Sequence, residues 1–445
     1  MIEYESYTTY KSLWNKSFPS HWDILPMYAV AKEKSICNCV DLPLLSVYLD
    51  VGVIPFWKKS EKRTNVTSND LSKYQRVDPG DFVLNNQQAW RGSVGVSFHT
   101  GIVSPAYIVL QMNDLLDSRY ANYLLRSRIM VDQYLINSKS VGSIQRNIYW
   151  ASLKRIRVPV PRHEEQKQIV RFLDWKNSNI NNLINVKEKE IEILKERLFA
   201  EIEKQLYAYP IKKKVRLKQL GTFFKGGGFS RENLVENEGH PAILYGDIYT
   251  QYEYKTDTIA HKIDSISYIA SKKIKCGDIV MAGTGETKDE IGKPILYLGD
   301  EEVAVGGDVI VFHPKRDIYA EYLLYHLYSQ SSLKHRYINS KGDIIVHIYP
   351  HALGNTIISL PSKNDQKNAV DRINEIITHV KNAITTLTKE ISVLSEYKAR
   401  LVADTVTGKI DVRGVEIPEF ELTDETACGM FGEVDECENE PPEEV

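Results

Sequence analysis

The chain has 445 residues, 42% hydrophobic and 26% charged, an ordinary soluble composition that is long for one core, so two or three domains are expected. No apolar run approaches the roughly 18–20 residues of a membrane span, and the polar start MIEYESYTTYK is unlike a signal peptide. Five scattered cysteines with no CxxC pair point to a reducing cytoplasm, and no His/Cys group has ligand spacing, so no metal is expected. Of 59 acidic residues, 12 lie beyond Arg413, where no Lys or Arg occurs, so Met1–Arg413 carries 56 basic against 47 acidic side chains. A mildly basic body with a short acidic tail is compatible with nucleic-acid binding and equally with a solubility role.

In chain order, Asp81–Leu84 and Gly101–Leu110 read as strands and Ser118–Ser138 as a helix. Directly after the first strand comes NNQQAWRGSVG, whose Asn85, Asn86, Gln87, Gln88, Trp90, Arg91 and Ser93 are candidate DNA contacts. Amides pair with adenine edges and guanidinium with guanine, although Trp90 alone reads better as a core residue. In SKSVGSIQRNIYW, Lys139, Gln145 and Arg146 are candidates for phosphate or base contact. The stretch VPVPRHEEQKQIVRFLD (Val158–Asp174) then turns a proline-ended strand into a helix with acidic residues in its first turn. Leu173, Ile180, Ile184, Ile191, Leu194 and Leu198 form its apolar seam, broken at Asn177 and Lys187.

The second half has strands at Asp278–Met281 and Val303–Phe312 and a helix at Ile318–Tyr337. Two glycine-rich stretches, FKGGGFSRENL and AGTGETKDEIGK, offer Lys225, Ser230, Arg231, Thr284, Thr287, Lys288 and Lys293 as DNA contacts, with Lys341 further on. Neither stretch is a P-loop, because no Gly-Lys-Ser/Thr closes it. A last long helix carries Ile377, Val380, Ile384, Leu387, Ile391 and Leu394 in a 4-3 heptad seam interrupted at Lys398, which predicts that the two long helices pair as a coiled coil. An acidic tail with prolines and no periodicity reads as disordered.

The junctions repeat at an offset of 200: Gly142/Gly342, Ile144/Ile344, Ile148-Tyr149/Ile348-Tyr349, Leu153/Leu353, Pro161/Pro361, Gln166-Lys167/Gln366-Lys367 and Lys189-Glu190-Ile191/Lys389-Glu390-Ile391. Upstream, YANYLL (Tyr120–Leu125) aligns with YAEYLL (Tyr319–Leu324), INSK (Ile136–Lys139) with INSK (Ile338–Lys341), and PGDFVL (Pro79–Leu84) with CGDIVM (Cys276–Met281). Such a register marks a duplication. The expected organisation is a first globular domain over 1–161, a helix over 162–209, a second domain over 210–361, a helix over 362–407 and a terminal segment over 408–445. Enzyme motifs are absent, except that Asp278, Glu286 and Lys288 form a weak acidic-acidic-lysine set that leaves a Mg²⁺-dependent nuclease open as an alternative.

Four patterns resemble one family, the specificity (S) subunit of type I restriction–modification systems: FPSHWDILPM (Phe18–Met27), PGDFVLNNQQAWRGSVGVSFHTGIVSPAY (Pro79–Tyr107), the VPVPRHEEQKQIVRFLD junction, and LVADTVTGKIDVR (Leu401–Arg413). The resemblance implies an α+β fold of two tandem target-recognition domains, each followed by a long helix, with the helices paired antiparallel. It implies a non-catalytic subunit, one copy per complex, that reads two halves of a split asymmetric site in double-stranded DNA. The helices would set the spacing and dock two methyltransferase subunits, which use S-adenosylmethionine to methylate adenine. Restriction subunits would add ATP- and Mg²⁺-dependent cleavage, with no cofactor on this chain. The recognition module of another methylation or phage-defence assembly, and a coiled-coil scaffold without DNA contact, remain alternatives.

Overall fold

The computed structural model describes residues 3–10, 16–49, 51–58, 70–141, 145–236, 238–315 and 318–421. The acidic tail from 422 onward lies outside them. Two compact units emerge, Met1–Glu188 with Thr388–Val445, and Lys189–Leu387. Among the described residues no helix is long and apolar enough to cross a membrane.

In the first unit an antiparallel sheet runs in the order Ala31–Lys34, Tyr107–Met112, Asp81–Asn85, Val94–Val96. Phe82 and Leu84 enter the main core with Val94 and Val96, whereas Val83 and Val109 pack on the other face with Leu45 and Val47. That alternation is the period-2 pattern of a sheet covered on both faces. Strand Asp23–Pro26 pairs antiparallel with Arg157–Val160, and two residues later the first long helix begins, His163–Leu206. Its buried Glu165 carboxylate accepts hydrogen bonds from Tyr4 (2.6 Å), Trp22 (3.0 Å) and His21 (2.8 Å). The FPSHW start of the chain is thus tied to the HEEQ junction. Gly408 (φ +72°) completes the knot, since a Cβ there would meet Pro19 Cδ at 2.3 Å.

The second unit repeats this frame. Lys213–Arg216 pairs antiparallel with Ile357–Leu360, and the second long helix, Lys363–Val406, matches the first at 44 residues, about 66 Å of helix at 1.5 Å per residue. A five-stranded sheet runs Gly221–Lys225, Val309–Pro314, Ile279–Ala282, Pro294–Tyr297, Lys255–Thr256. A second, of Leu234–Val235, His261–Ile263, His240–Ile243, Val303–Val305 and Lys273–Ile274, has no like-sized counterpart in the first unit among the described residues. Both units are α+β.

Three expectations are corrected. The helices expected at Ser118–Ser138 and Ile318–Tyr337 are each two, Ser118–Arg126 with Arg128–Asn137 and Ala320–Leu327 with Gln330–Asn339. Ser127 (ψ 153°) and Ser329 (ψ 152°) are extended and break them. The strands expected at Gly101–Leu110 and Val303–Phe312 also split, into Gly101–Val103 and Tyr107–Met112, and into Val303–Val305 and Val309–Pro314. In the second case a turn through Asp308 (φ +61°) sends the chain to the other sheet.

The third correction concerns register. Tyr120 Oη donates to the Pro159 carbonyl and Tyr322 Oη to that of Ser359, while Tyr123 Oη donates to Asp174 and Tyr325 Oη to Asn374. These contacts align Tyr120 and Tyr123 with Tyr322 and Tyr325, an offset of 202, so YANYLL and YAEYLL are three residues out of register. Arg119 binds Asp174, and at the same place Glu321 accepts from Asn374 and pairs with Lys255. The polarity is swapped within a retained contact.

The seam residues lie where the heptads put them. Between 182 and 200 only Ile184, Lys187, Ile191, Leu194 and Leu198 escape full exposure, and between 385 and 400 only Leu387, Ile391, Leu394 and Lys398. Leu173 and Ile180 are buried in the first unit's core, and Leu198 and Ile377 share the second unit's core with Val380 against it. Lys187 Nζ meets Glu390 at 2.5 Å and Lys398 Nζ donates to Asn181 at 2.6 Å. Residue number rises on one helix as it falls on the other, so within the first unit the helices run antiparallel. Buried Asn177 donates to Tyr123 Oη.

Two measurements check this frame. Tyr322→Phe leaves the buried Ser359 carbonyl without that donor and is expected to cost about 1–3 kcal/mol, seen as a lower denaturation midpoint, whereas Tyr319→Phe is expected to cost less. His326 is buried and accepts from the Ser359 N–H at Nε2 (3.0 Å), and burial lowers its pKa to about 4. An unfolded histidine titrates near pH 6.5, so between these values the unfolded chain binds more protons. Stability is expected in full above about pH 6.5 and to fall as pH drops towards 4, with His326→Gln flattening that slope.

Candidate nucleic-acid interface

Each candidate reading loop is launched by the same turn. Gly80 (φ +90°) and Gly277 (φ +93°) occupy the position where a type II turn needs a left-handed residue. The next residue folds its carboxylate back: Asp81 accepts from Asp78 N–H at 2.8 Å and Asp278 from Lys275 N–H at 3.0 Å. A short buried strand follows, and the loop emerges at its far end.

In the first unit Asn85 Oδ1 accepts from Gln87 N–H (3.0 Å), and a 3-10 turn, Ala89–Arg91, ends at Gly92 (φ +105°). Gln87, Gln88 and Arg91 are exposed. Trp90 is not in the core: it is half-buried, its indole N–H donates to the Gln87 carbonyl at 2.9 Å, and Arg91 lies over its ring at 4.7 Å. Ser93 is buried with its hydroxyl on the Val47 carbonyl (3.0 Å), which takes it away from the surface. Asn86 lines a cavity of about 340 Å³ beside Tyr107, Tyr149 and Trp150, and its buried Oδ1 has no partner among the described residues. Its carbonyl accepts from Ile148 N–H at 3.0 Å, joining the loop to the hairpin Lys139–Val141/Gln145–Asn147. There Lys139 is exposed and Arg146 half-buried; residues 142–144 and the Gln145 side chain lie outside the described part.

In the second unit the two glycine-rich stretches converge on Asp308. Its carbonyl accepts from Gly283 N–H (2.7 Å) and its carboxylate from Lys225 Nζ (2.8 Å), which holds that carboxyl below the usual range. Ser230 and Arg231 are exposed at the start of the short turn Arg231–Asn233. Thr284 is buried, its hydroxyl against His347 Nδ1 at 3.0 Å, and so is withdrawn as Ser93 is. Thr287 is exposed, and Lys288 reaches Asp343 at 3.2 Å. Lys293 donates to the Tyr249 carbonyl, and burial holds its ammonium below the usual lysine range. Lys341 is exposed and bridges His347 through the backbone.

One functional support was missed from sequence. Arg336 is fully buried under the second loop, donating to the carbonyls of Ile291 (3.0 Å) and Leu327 (2.6 Å), and burial pushes its pKa down to about 10. Gly292 (φ +71°) makes room, because a Cβ there would meet Arg336 Cδ at 2.6 Å. In the first unit Tyr134 holds the matching carbonyl, Leu125, at 2.9 Å. An arginine on a short polar helix carries no sequence mark of burial.

The geometry gives no support to a nuclease. Asp278 is 2% exposed, its carboxylate taken by His313 and the turn, and it sits at the opposite end of strand Ile279–Ala282 from Glu286 and Lys288.

A family described as the type I restriction modification DNA specificity domain matches twice, over residues 32–193 and 212–394. The chain belongs to that family. As a specificity subunit it is the non-catalytic, sequence-directing part of a restriction–modification system, with two specificity domains in tandem. Among curated proteins, the type I restriction enzyme MjaVIII specificity subunit of Methanocaldococcus jannaschii is 24% identical over 93% of this chain and 99% of its own length. A solved chain described under complex assembly and conformational transition of the type I R-M system shares the fold, with TM-score 0.63 at 14% identity over 88% of this chain and 99% of that one. The HsdS subunit from Thermoanaerobacter tengcongensis gives TM-score 0.45 at 15% identity, over 88% and 98%.

Arg336→Met is expected to strand both carbonyls at about 1–3 kcal/mol each, with faster amide exchange in residues 283–293. Arg336→Lys lacks the planar fork and is expected to restore little.

Proposed function

We propose that each specificity domain reads one half of a split, asymmetric sequence in double-stranded DNA. The observation that carries this is the pairing of one retained frame with two unlike loops, Asn85–Gly95 and Ala282–Lys293. Different readers favour different half-sites, since identical ones would favour a symmetric target. The exposed candidates, Gln87, Gln88 and Arg91 in one loop and Thr287 in the other, and the half-exposed Lys288 on Asp343, suit contact with base edges or phosphate.

The long helices would act as the spacer between half-sites and as the docking element for two methyltransferase subunits, with one copy of this chain per complex in the cytoplasm. Adenine methylation by S-adenosylmethionine, and ATP- and Mg²⁺-dependent cleavage by restriction subunits, would belong to those partners. The domain limits at 161, 209, 361 and 407 form part of this reading.

The test is methylation mapping of cells carrying the assembled complex. Gln87→Ala with Arg91→Ala is expected to relax one half-site and leave the other intact, and Thr287→Ala with Lys288→Ala to do the converse. Each lost bidentate base contact is worth about 1–3 kcal/mol of discrimination. A wild-type complex that modifies no defined split sequence sinks the proposal.

A further inference from the structure

Two readers of different sequences have no reason to share a surface residue used for reading, and an exposed side chain has no packing reason to persist. Exposed identities between the two halves therefore report what both halves meet in common. In the aligned globular parts, most identities have visible structural tasks. Tyr120 and Tyr322 close the strand before each long helix. Asn137 and Asn339 donate to the carbonyls of Gln133 (2.9 Å) and His335 (2.8 Å), and Ser138 and Ser340 donate to those of Tyr134 and Tyr337, so these four finish their helices.

Among the described residues three exposed pairs remain. Ile136 and Ile338 are 60% and 66% exposed, Tyr149 and Tyr349 are 49% and 51%, and Lys139 and Lys341 are exposed with no carboxylate partner among the described residues. Each set is held in the same way. Lys139 is opposite Asn147 across the hairpin, and Lys341 is opposite His347, with the tyrosine two residues further on in both. The second connection is two residues shorter, yet this pairing survives. The isoleucine between lysine's partner and tyrosine anchors the group to the reading loop, Ile148 N–H to Asn86 and Ile348 N–H to Gly283 (2.9 Å). The identical side chains thus sit beside the loops that differ.

What two unlike half-sites have in common is the phosphodiester backbone. We infer that Lys139 with Tyr149, and Lys341 with Tyr349, form a sequence-independent grip on that backbone, one in each half. Ammonium and phenol are both phosphate donors, and contacts of this kind set register without carrying sequence information. The repeated isoleucines offer apolar surface to the sugar edge. This inference rests on the proposed reading of two DNA half-sites.

The experiment uses the full chain assembled with its methyltransferase subunits, titrated with its own duplex and with an unrelated duplex across a salt series. Lys139→Gln/Tyr149→Phe and Lys341→Gln/Tyr349→Phe are each expected to weaken both duplexes by the same factor, about 3- to 10-fold, and to reduce the slope of log affinity against log salt by about 1. The methylated sequence is expected to stay the same. Loss confined to the specific duplex would make these residues readers and overturn the inference. Unchanged DNA affinity overturns it too, and if methyltransferase subunits then dissociate, the shared partner is protein. A wild-type complex that methylates no split sequence but whose variants lose affinity for both duplexes would instead sink the half-site reading alone.

Discussion

A carbonyl at the buried end of a strand must find a donor, and proline's neighbours make that hard because the ring brings no N–H. Both halves of this chain meet the constraint at the same place with the same residue. Gln166 Nε2 donates to the Pro161 carbonyl at 2.9 Å, and Gln366 Nε2 to the Pro361 carbonyl at 3.1 Å. Each glutamine sits in the first turn of its long helix, so a hydrogen bond fixes the angle at which strand becomes helix. Gln166 also holds Asp117 N–H and the Leu115 carbonyl, which brings the domain's helical pair onto the same joint.

Around it the two copies have drifted in complementary ways. Where one half has Arg119 on Asp174, the other has Glu321 on Asn374 with Lys255 alongside, and Tyr134 in one and Arg336 in the other hold equivalent carbonyls. In both exchanges the acceptor or donor that had to be satisfied stayed satisfied.

Much of this was legible in the chain. The heptad seam predicted which helix residues would be shielded, because a 4-3 rhythm has one geometric meaning, and the offset of 200 identified the joint. The tyrosine helices misled for a physical reason: a shift of three residues keeps the same helix face, so Tyr-x-x-Tyr matches itself one turn away while its contacts change. Ser93 and Thr284 looked like surface hydroxyls, and nothing in sequence said that Val47 and His347 would claim them. Glu165 read as a helix-start carboxylate, yet it gathers three donors from the start of the chain. Charge burial of this sort is set by tertiary partners and leaves no local pattern.

The two lysine interruptions of the helical seam carry a consequence of their own. Lys187 faces Glu390, and Lys398 faces Asn181. Sliding one helix by a heptad would carry Lys187 to Ile384 and Lys398 to Leu173 in one direction, and the two lysines to each other in the other, so either slip leaves charge unpaired. The correct alignment is therefore separated from its neighbours by a gap rather than a slope. Within the first unit, two lysines supply resistance to a slip of one notch.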